Sequence, residues 1–251
     1  MQYIEGQSLA ELVRDEPIEP RRAAQYLATI ADAVHYAHEK ITLHRDLKPA
    51  NILLDSDDQP HITDFGLARQ IQTDQQLTAS GAILGTPSYM SPEQAMGKCE
   101  RIDRTTDVYS LGATLYNLLT GRPPFQGDGP LDTLRQVAND RPTSPRRINE
   151  QIPRDLENIC LKCLEKESSA RYATARELAD DLRRFLRGEP VQARPIRFAA
   201  HALRWSRQHP WRVLVAALML GGLAWGIEGY MQAAHLDDLD DVDVLVLHPS
   251  L

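Results

Sequence analysis

The chain has 251 residues, 42% hydrophobic and 25% charged, which excludes a disordered or fibrous protein and fits one large domain with appendages. A net charge of -7 argues against nucleic acid as a partner, because a phosphate-binding surface has to be basic. The cysteines number 3, too few and too irregular for a disulfide framework.

In chain order, Ser8–Glu11 (SLAE) reads as a capping box that opens a short helix ending near Pro17. Pro20 starts a longer helix, with Ala24, Leu27, Ala31, Val34 and Ala37 or His38 on one stripe. His35 and His38 share a helical face, and with no HExxH pattern or carboxylate partner they are assigned to core or surface packing. After the loop His44–Asn51, the apolar runs Ile52–Leu54 and His61–Thr63 flank a polar turn and predict a β-hairpin. Asp64 to Glu93 shows no sustained period, and a loop of that length inside a compact domain is usually functional.

The remainder of the globular part reads as helical. Thr106–Thr120 is an apolar helix that stops at Gly121, and Pro123 and Pro124 block its continuation. Leu131–Val137, Pro153–Leu164 and Thr174–Leu186 follow as helices, the last amphipathic with Arg183 and Arg184 facing outward. Cys160 and Cys163 form a lone CxxC in an apolar helical stretch; with no second ligand pair, buried packing is expected rather than metal or redox work.

Gly188-Glu-Pro closes the globular part. Between Arg194 and Arg212 every charged residue is an arginine, whereas Glu228 to Leu251 carries acids and no Lys or Arg. The apolar run Trp211–Ile227 between them predicts a membrane span, with Trp211 and Trp225 near its ends. Its distance from the N-terminus separates it from a signal peptide. Arginines before it and acids after it put the globular part in the cytoplasm by the positive-inside rule. The expected layout is 1–187 for the globular lobe and 188–210 for a basic juxtamembrane linker, then 211–228 for a transmembrane helix and 229–251 for a short acidic tail.

Chemistry concentrates in three motifs: His44–Asn51 (HRDLKPAN), Asp64–Gly66 (DFG) and Ser91–Glu93 (SPE). Together with Gly85–Gln94 (GTPSYMSPEQ) and Asp107–Gly112 (DVYSLG), they resemble in order and spacing the catalytic loop, metal loop and activation segment of protein kinases. The resemblance covers about 1–186 and is closest to bacterial membrane-anchored serine/threonine kinases. It implies a mainly α fold with a small β-hairpin, the C-terminal lobe of the protein-kinase fold, followed by one transmembrane helix.

Phosphoryl transfer explains the residue types that the resemblance assigns. Asp46 would accept the substrate hydroxyl's proton, and Lys48 would stabilise charge on the γ-phosphate. Asn51 and Asp64 supply hard oxygens for Mg²⁺ bridging the phosphates of ATP. Thr86 would direct its hydroxyl toward Asp46 and Lys48, and Lys48 itself points to the serine/threonine class. Arg45 would pair with a phosphorylated Thr73, Thr78 or Ser80. Glu93 should form a buried ion pair with Arg171, Asp107 should bond the backbone of the catalytic loop, and His44 should stack with Phe65, beside Gly66. Leu53 would floor the adenine site, and Gln2, Tyr3 and Ile4 belong to a hinge-like start.

The sequence contains no GxGxxG before a strand and no VAIK-like lysine, so the glycine loop and ATP-anchoring lysine of such kinases are missing from it. The chain is therefore expected to be a truncated catalytic lobe without measurable transfer by itself, its start misplaced or its gene shortened. The alternative is a non-catalytic module that docks protein partners at the membrane. The partners expected are ATP, Ser/Thr-bearing protein substrates and the inner membrane, with a homodimer possible and no nucleic acid.

Overall fold

A computed structural model describes residues 6–64 and 86–193. Within them a short three-stranded antiparallel sheet accompanies a mainly helical body. Strand β1 (Gln7–Ser8) runs into α1 (Leu9–Leu12), followed by the long α2 (Pro20–Glu39). Strands β2 (Ile52–Leu54) and β3 (Pro60–Ile62) form the predicted hairpin, and β1 adds to the free edge of β2. The register pairs Ser8 with Leu53 and Leu53 with His61, so Leu53 sits mid-sheet. Helices α3 (Pro92–Ala95), α4 (Arg104–Thr120), α5 (Pro130–Asn139), α6 (Arg154–Cys163) and α7 (Ala175–Arg187) complete the described residues.

Helix α4 is the hub. Every residue from Thr105 to Thr120 is buried, as expected of a helix whose neighbours cover it on all sides. Asp103 caps its start, and Gly121 ends it in the left-handed conformation at φ 75°. It packs tightly against α6 at Gly112, where an added Cβ would lie 2.3 Å from Cys163 Cβ. The Cys160 thiol approaches Gly112 O at 3.6 Å, and both Cys160 and Cys163 are fully buried. Burial pushes both thiols up, so they remain protonated packing groups, in line with the sequence reading.

Helices α2 and α7 pack along one another, with Ala24, Leu27, Ala31 and Val34 buried as the periodicity requires. Asp32 of α2 takes ion pairs from Arg176 (3.3 Å) and Arg183 of α7. This corrects the expectation for Arg183. The long side chain lies across the helix pair because an acid on α2 is within reach of its guanidinium.

The first helix is also shorter than expected. Ser8 and Glu11 form the reciprocal capping box, but the helix stops at Leu12 rather than near Pro17. Val13 and Ile18 turn into the core, and the Ile18 N–H donates to Leu118 O at 2.8 Å, a bond that a continuing helix would forgo. Among the described residues no helix is long and apolar enough to cross a membrane; the span expected at 211–228 lies outside them, as do the linker beyond residue 193 and the acidic tail.

Candidate active site

The loop between α2 and β2 is fastened by a buried carboxylate. Asp107, in the first turn of α4, accepts the His44 N–H (2.9 Å) on Oδ2 and the Arg45 N–H (2.8 Å) on Oδ1. A third donor, His38 Nε2, reaches Oδ2 at 2.7 Å, and both side chains are almost fully buried. A carboxylate only accepts, so His38 presents Nε2–H to it. Sequence reasoning placed Asp107 correctly but gave His38 a mere packing role. The partner lies 69 residues away, where no local spacing rule reaches.

Arg45 adopts φ 67°, left-handed and strained for a non-glycine residue. This kink turns the next residue, Asp46, out of the core, and its side chain is 44% exposed. The Asp46 N–H donates to His44 Nδ1 at 3.3 Å, while His44 Nε2 donates to Thr63 O at 2.9 Å. His44 is thus a buried bracket between the loop and the end of the hairpin. Its expected stacking partner, Phe65, lies outside the described residues.

Around Asp46 the polar groups converge. Lys48 Nζ donates to Asp46 Oδ2 at 2.8 Å. Asn51 Nδ2 donates to Asp46 O at 2.8 Å and to Asp46 Oδ2 at 3.1 Å. Both amide hydrogens of Asn51 are therefore spent, which fixes the side-chain flip and leaves Oδ1 as an acceptor. The Thr63 N–H donates to Asn51 O at 2.9 Å, and that bond brings the following residue, Asp64, beside Asn51. Asp64 is exposed, at φ 61°, and its carboxylate has no hydrogen-bond partner among the described residues. An amide oxygen and an exposed carboxylate at one rim are donors that a small hard divalent cation accepts, so the residues fit Mg²⁺.

The segment from Thr86 onward meets this loop from the other side. Glu93 and Arg171 form the expected ion pair in bidentate geometry at 2.8 and 2.9 Å. Arg171 also donates to the carbonyls of Thr105, Glu165 and Lys166, and its guanidinium lies 5.0 Å from the Tyr109 ring centre. Burial works to raise the Glu93 carboxyl, but the bonds and charge of Arg171 outweigh it and hold it below its ordinary value.

Thr86 is exposed, and among the described residues no hydrogen bond joins its side chain to Asp46 or Lys48. Leu53 lies half-buried on the central strand of the sheet. Gln2, Tyr3, Ile4, Gly66, Thr73, Thr78 and Ser80 lie outside the described residues. One further contact was not anticipated: Gln94 Nε2 donates to Arg45 O at 2.8 Å.

Known proteins resemble the chain in sequence. A family model described as a protein kinase domain matches residues 1–182. The chain is 40% identical over 194 residues to the serine/threonine-protein kinase PknB of Mycobacterium leprae, covering 77% of this chain and 31% of the relative. It is 40% identical over 195 residues to PknB of Mycobacterium tuberculosis, again 77% of this chain and 31% of the relative. A probable serine/threonine-protein kinase of Streptomyces coelicolor is 38% identical over 195 residues, covering 77% and 29%. The chain thus spans about a third of the length of the curated relatives it matches.

Proposed function

The chain belongs to the protein kinase domain family, and we propose that it carries the catalytic lobe of a serine/threonine kinase that moves the γ-phosphate of ATP to protein hydroxyls. The observation that carries this reading is the cluster in which Lys48 Nζ and Asn51 Nδ2 both bond Asp46 Oδ2, at 2.8 and 3.1 Å. These bonds fix the carboxylate while leaving it open to solvent on one side.

In the proposed mechanism Asp46 accepts a hydrogen bond from the incoming serine or threonine hydroxyl, aims its lone pair and takes its proton as transfer proceeds. Lys48 swings its ammonium between Asp46 and the transferring oxygens and offsets their negative charge. Asn51 Oδ1 and Asp64 would hold Mg²⁺, which neutralises phosphate charge when bound. Leu53 offers an apolar surface to the adenine. Most of the gain comes from positioning, since little covalent chemistry falls to the protein.

The test is transfer of labelled phosphate from Mg-ATP to a Ser/Thr protein. It is run with the 251-residue chain and with the same chain fused behind the glycine-loop lobe of an active serine/threonine kinase. Label on Ser or Thr that disappears in Asp46→Asn supports the reading. No transfer by either form overturns it.

Membrane attachment through 211–228, with the catalytic residues on the cytoplasmic side, is part of the same proposal. It rests on the apolar run and on arginines before it and acids after it. Release of the protein from washed membranes by salt alone would contradict it.

A further inference from the structure

Gln94 occupies the third position of α3 and already has one task there. Its Oε1 accepts the Ser91 N–H at 3.0 Å, and its own N–H donates to Ser91 Oγ at 3.3 Å, a reciprocal capping box. That task uses only the amide oxygen. The amide nitrogen reaches the catalytic loop and donates to Arg45 O at 2.8 Å.

The carbonyl it holds belongs to the peptide that leads into Asp46. A peptide group is planar, so Arg45 C=O and Asp46 N–H lie in one plane and rotate together. Gln94 holds the oxygen side of that plane, and His44 Nδ1 accepts from its nitrogen side at 3.3 Å. Arg45 itself is left-handed at φ 67°, a conformation that has to be imposed from outside, and Asp107 Oδ1 imposes its N–H direction at 2.8 Å. We infer that Gln94 is a positioning residue that sets the Arg45–Asp46 peptide plane and so aims the Asp46 carboxylate. Because Glu93 beside it is clamped by Arg171, Gln94 passes the seating of the Ser91–Gln94 segment on to the catalytic loop.

This inference rests on the kinase reading for its consequence in turnover, but not for the geometry it assigns. Gln94→Glu separates the two tasks: a carboxylate still accepts the Ser91 N–H, yet it offers no donor to Arg45 O and turns an oxygen toward it. In the phosphate-transfer assay above, the expected result is a fall in kcat of about tenfold with the KM for ATP changed by less than about twofold. Hydrogen exchange should accelerate in the peptide covering 44–51 and stay at the wild-type rate elsewhere, with a melting midpoint within about 2 °C of wild type. Gln94→Leu, which removes both tasks, should add a lower melting midpoint to the same loss.

Wild-type kcat together with wild-type exchange at 44–51 in both variants would overturn the inference. So would a lowered midpoint in Gln94→Glu without any local change in exchange, which marks a capping role alone. If the wild-type protein transfers no phosphate in either form, the kinase reading falls, and the exchange result alone decides whether Gln94 sets the loop.

Discussion

Ile41 shows how a single residue can work against its own backbone. It follows α2 at φ 58°, with its N–H donating to His38 O and the Thr42 N–H donating to Ala37 O, each at 3.0 Å. This is the helix-ending pattern in which glycine is the usual choice, yet a β-branched residue stands there, 93% exposed. The left-handed conformation costs a branched residue about 1–2 kcal/mol, and glycine's extra freedom when unfolded costs about 0.5–1 kcal/mol. Ile41→Gly should therefore raise stability by about 0.5–1 kcal/mol, read from the denaturation midpoint. Asp107 is the opposite case. Its two oxygens accept from three donors, and Asp107→Asn would turn an NH₂ group toward at least one N–H, at a cost of about 2–4 kcal/mol measured by chemical denaturation. The role of Asp107 was legible because it lies in a motif that resembles a known one. His38 was not, since it belongs to no local motif and the acid it bonds comes from another helix, 69 residues away.

At the scale of elements, most helices were readable from caps and periodicity. The Ser8 box, Pro20 at the start of α2 and Gly121 at the end of α4 all stand where local chemistry placed them. What sequence could not supply was which faces meet. The approach of α4 to α6 depends on Gly112, and Gly112→Ala would drive a methyl group into Cys163 Cβ, a cost of about 1–3 kcal/mol. Cys163→Ala keeps the Cβ and should not relieve that clash, whereas Cys163→Gly should; a double-mutant cycle of melting midpoints checks the difference. The pairing of Asp32 with Arg176 and Arg183 between α2 and α7 is partly exposed, so Asp32→Ala should cost no more than about 1 kcal/mol. These two estimates order the effects: close helix packing matters more here than surface charge.

For the whole molecule, the Glu93–Arg171 pair joins the segment after Thr86 to the turn before α7, across 78 residues of chain. The Glu93 carboxyl is held below its ordinary 4.5, so it contributes stability that is present above about pH 4.5 and lost as pH falls through the depressed value. Glu93→Gln should lower stability at pH 7 by about 3 kcal/mol, because Arg171 stays buried without its counter-charge. Below pH 4 the difference from wild type should narrow, as seen in denaturation curves taken across that range. Sequence by itself singled out Asp46, Lys48, Asn51 and Asp64, through motifs that resemble those of a known family, and the elements around them through caps and hydrophobic period. Only the tertiary structure decided what holds Asp46 in place, namely His38 through Asp107, His44 against Thr63 and Gln94 on Arg45 O. The reason is physical: caps and periods act within a few residues, whereas a strained loop is held by partners that folding brings from 19 to 69 residues away.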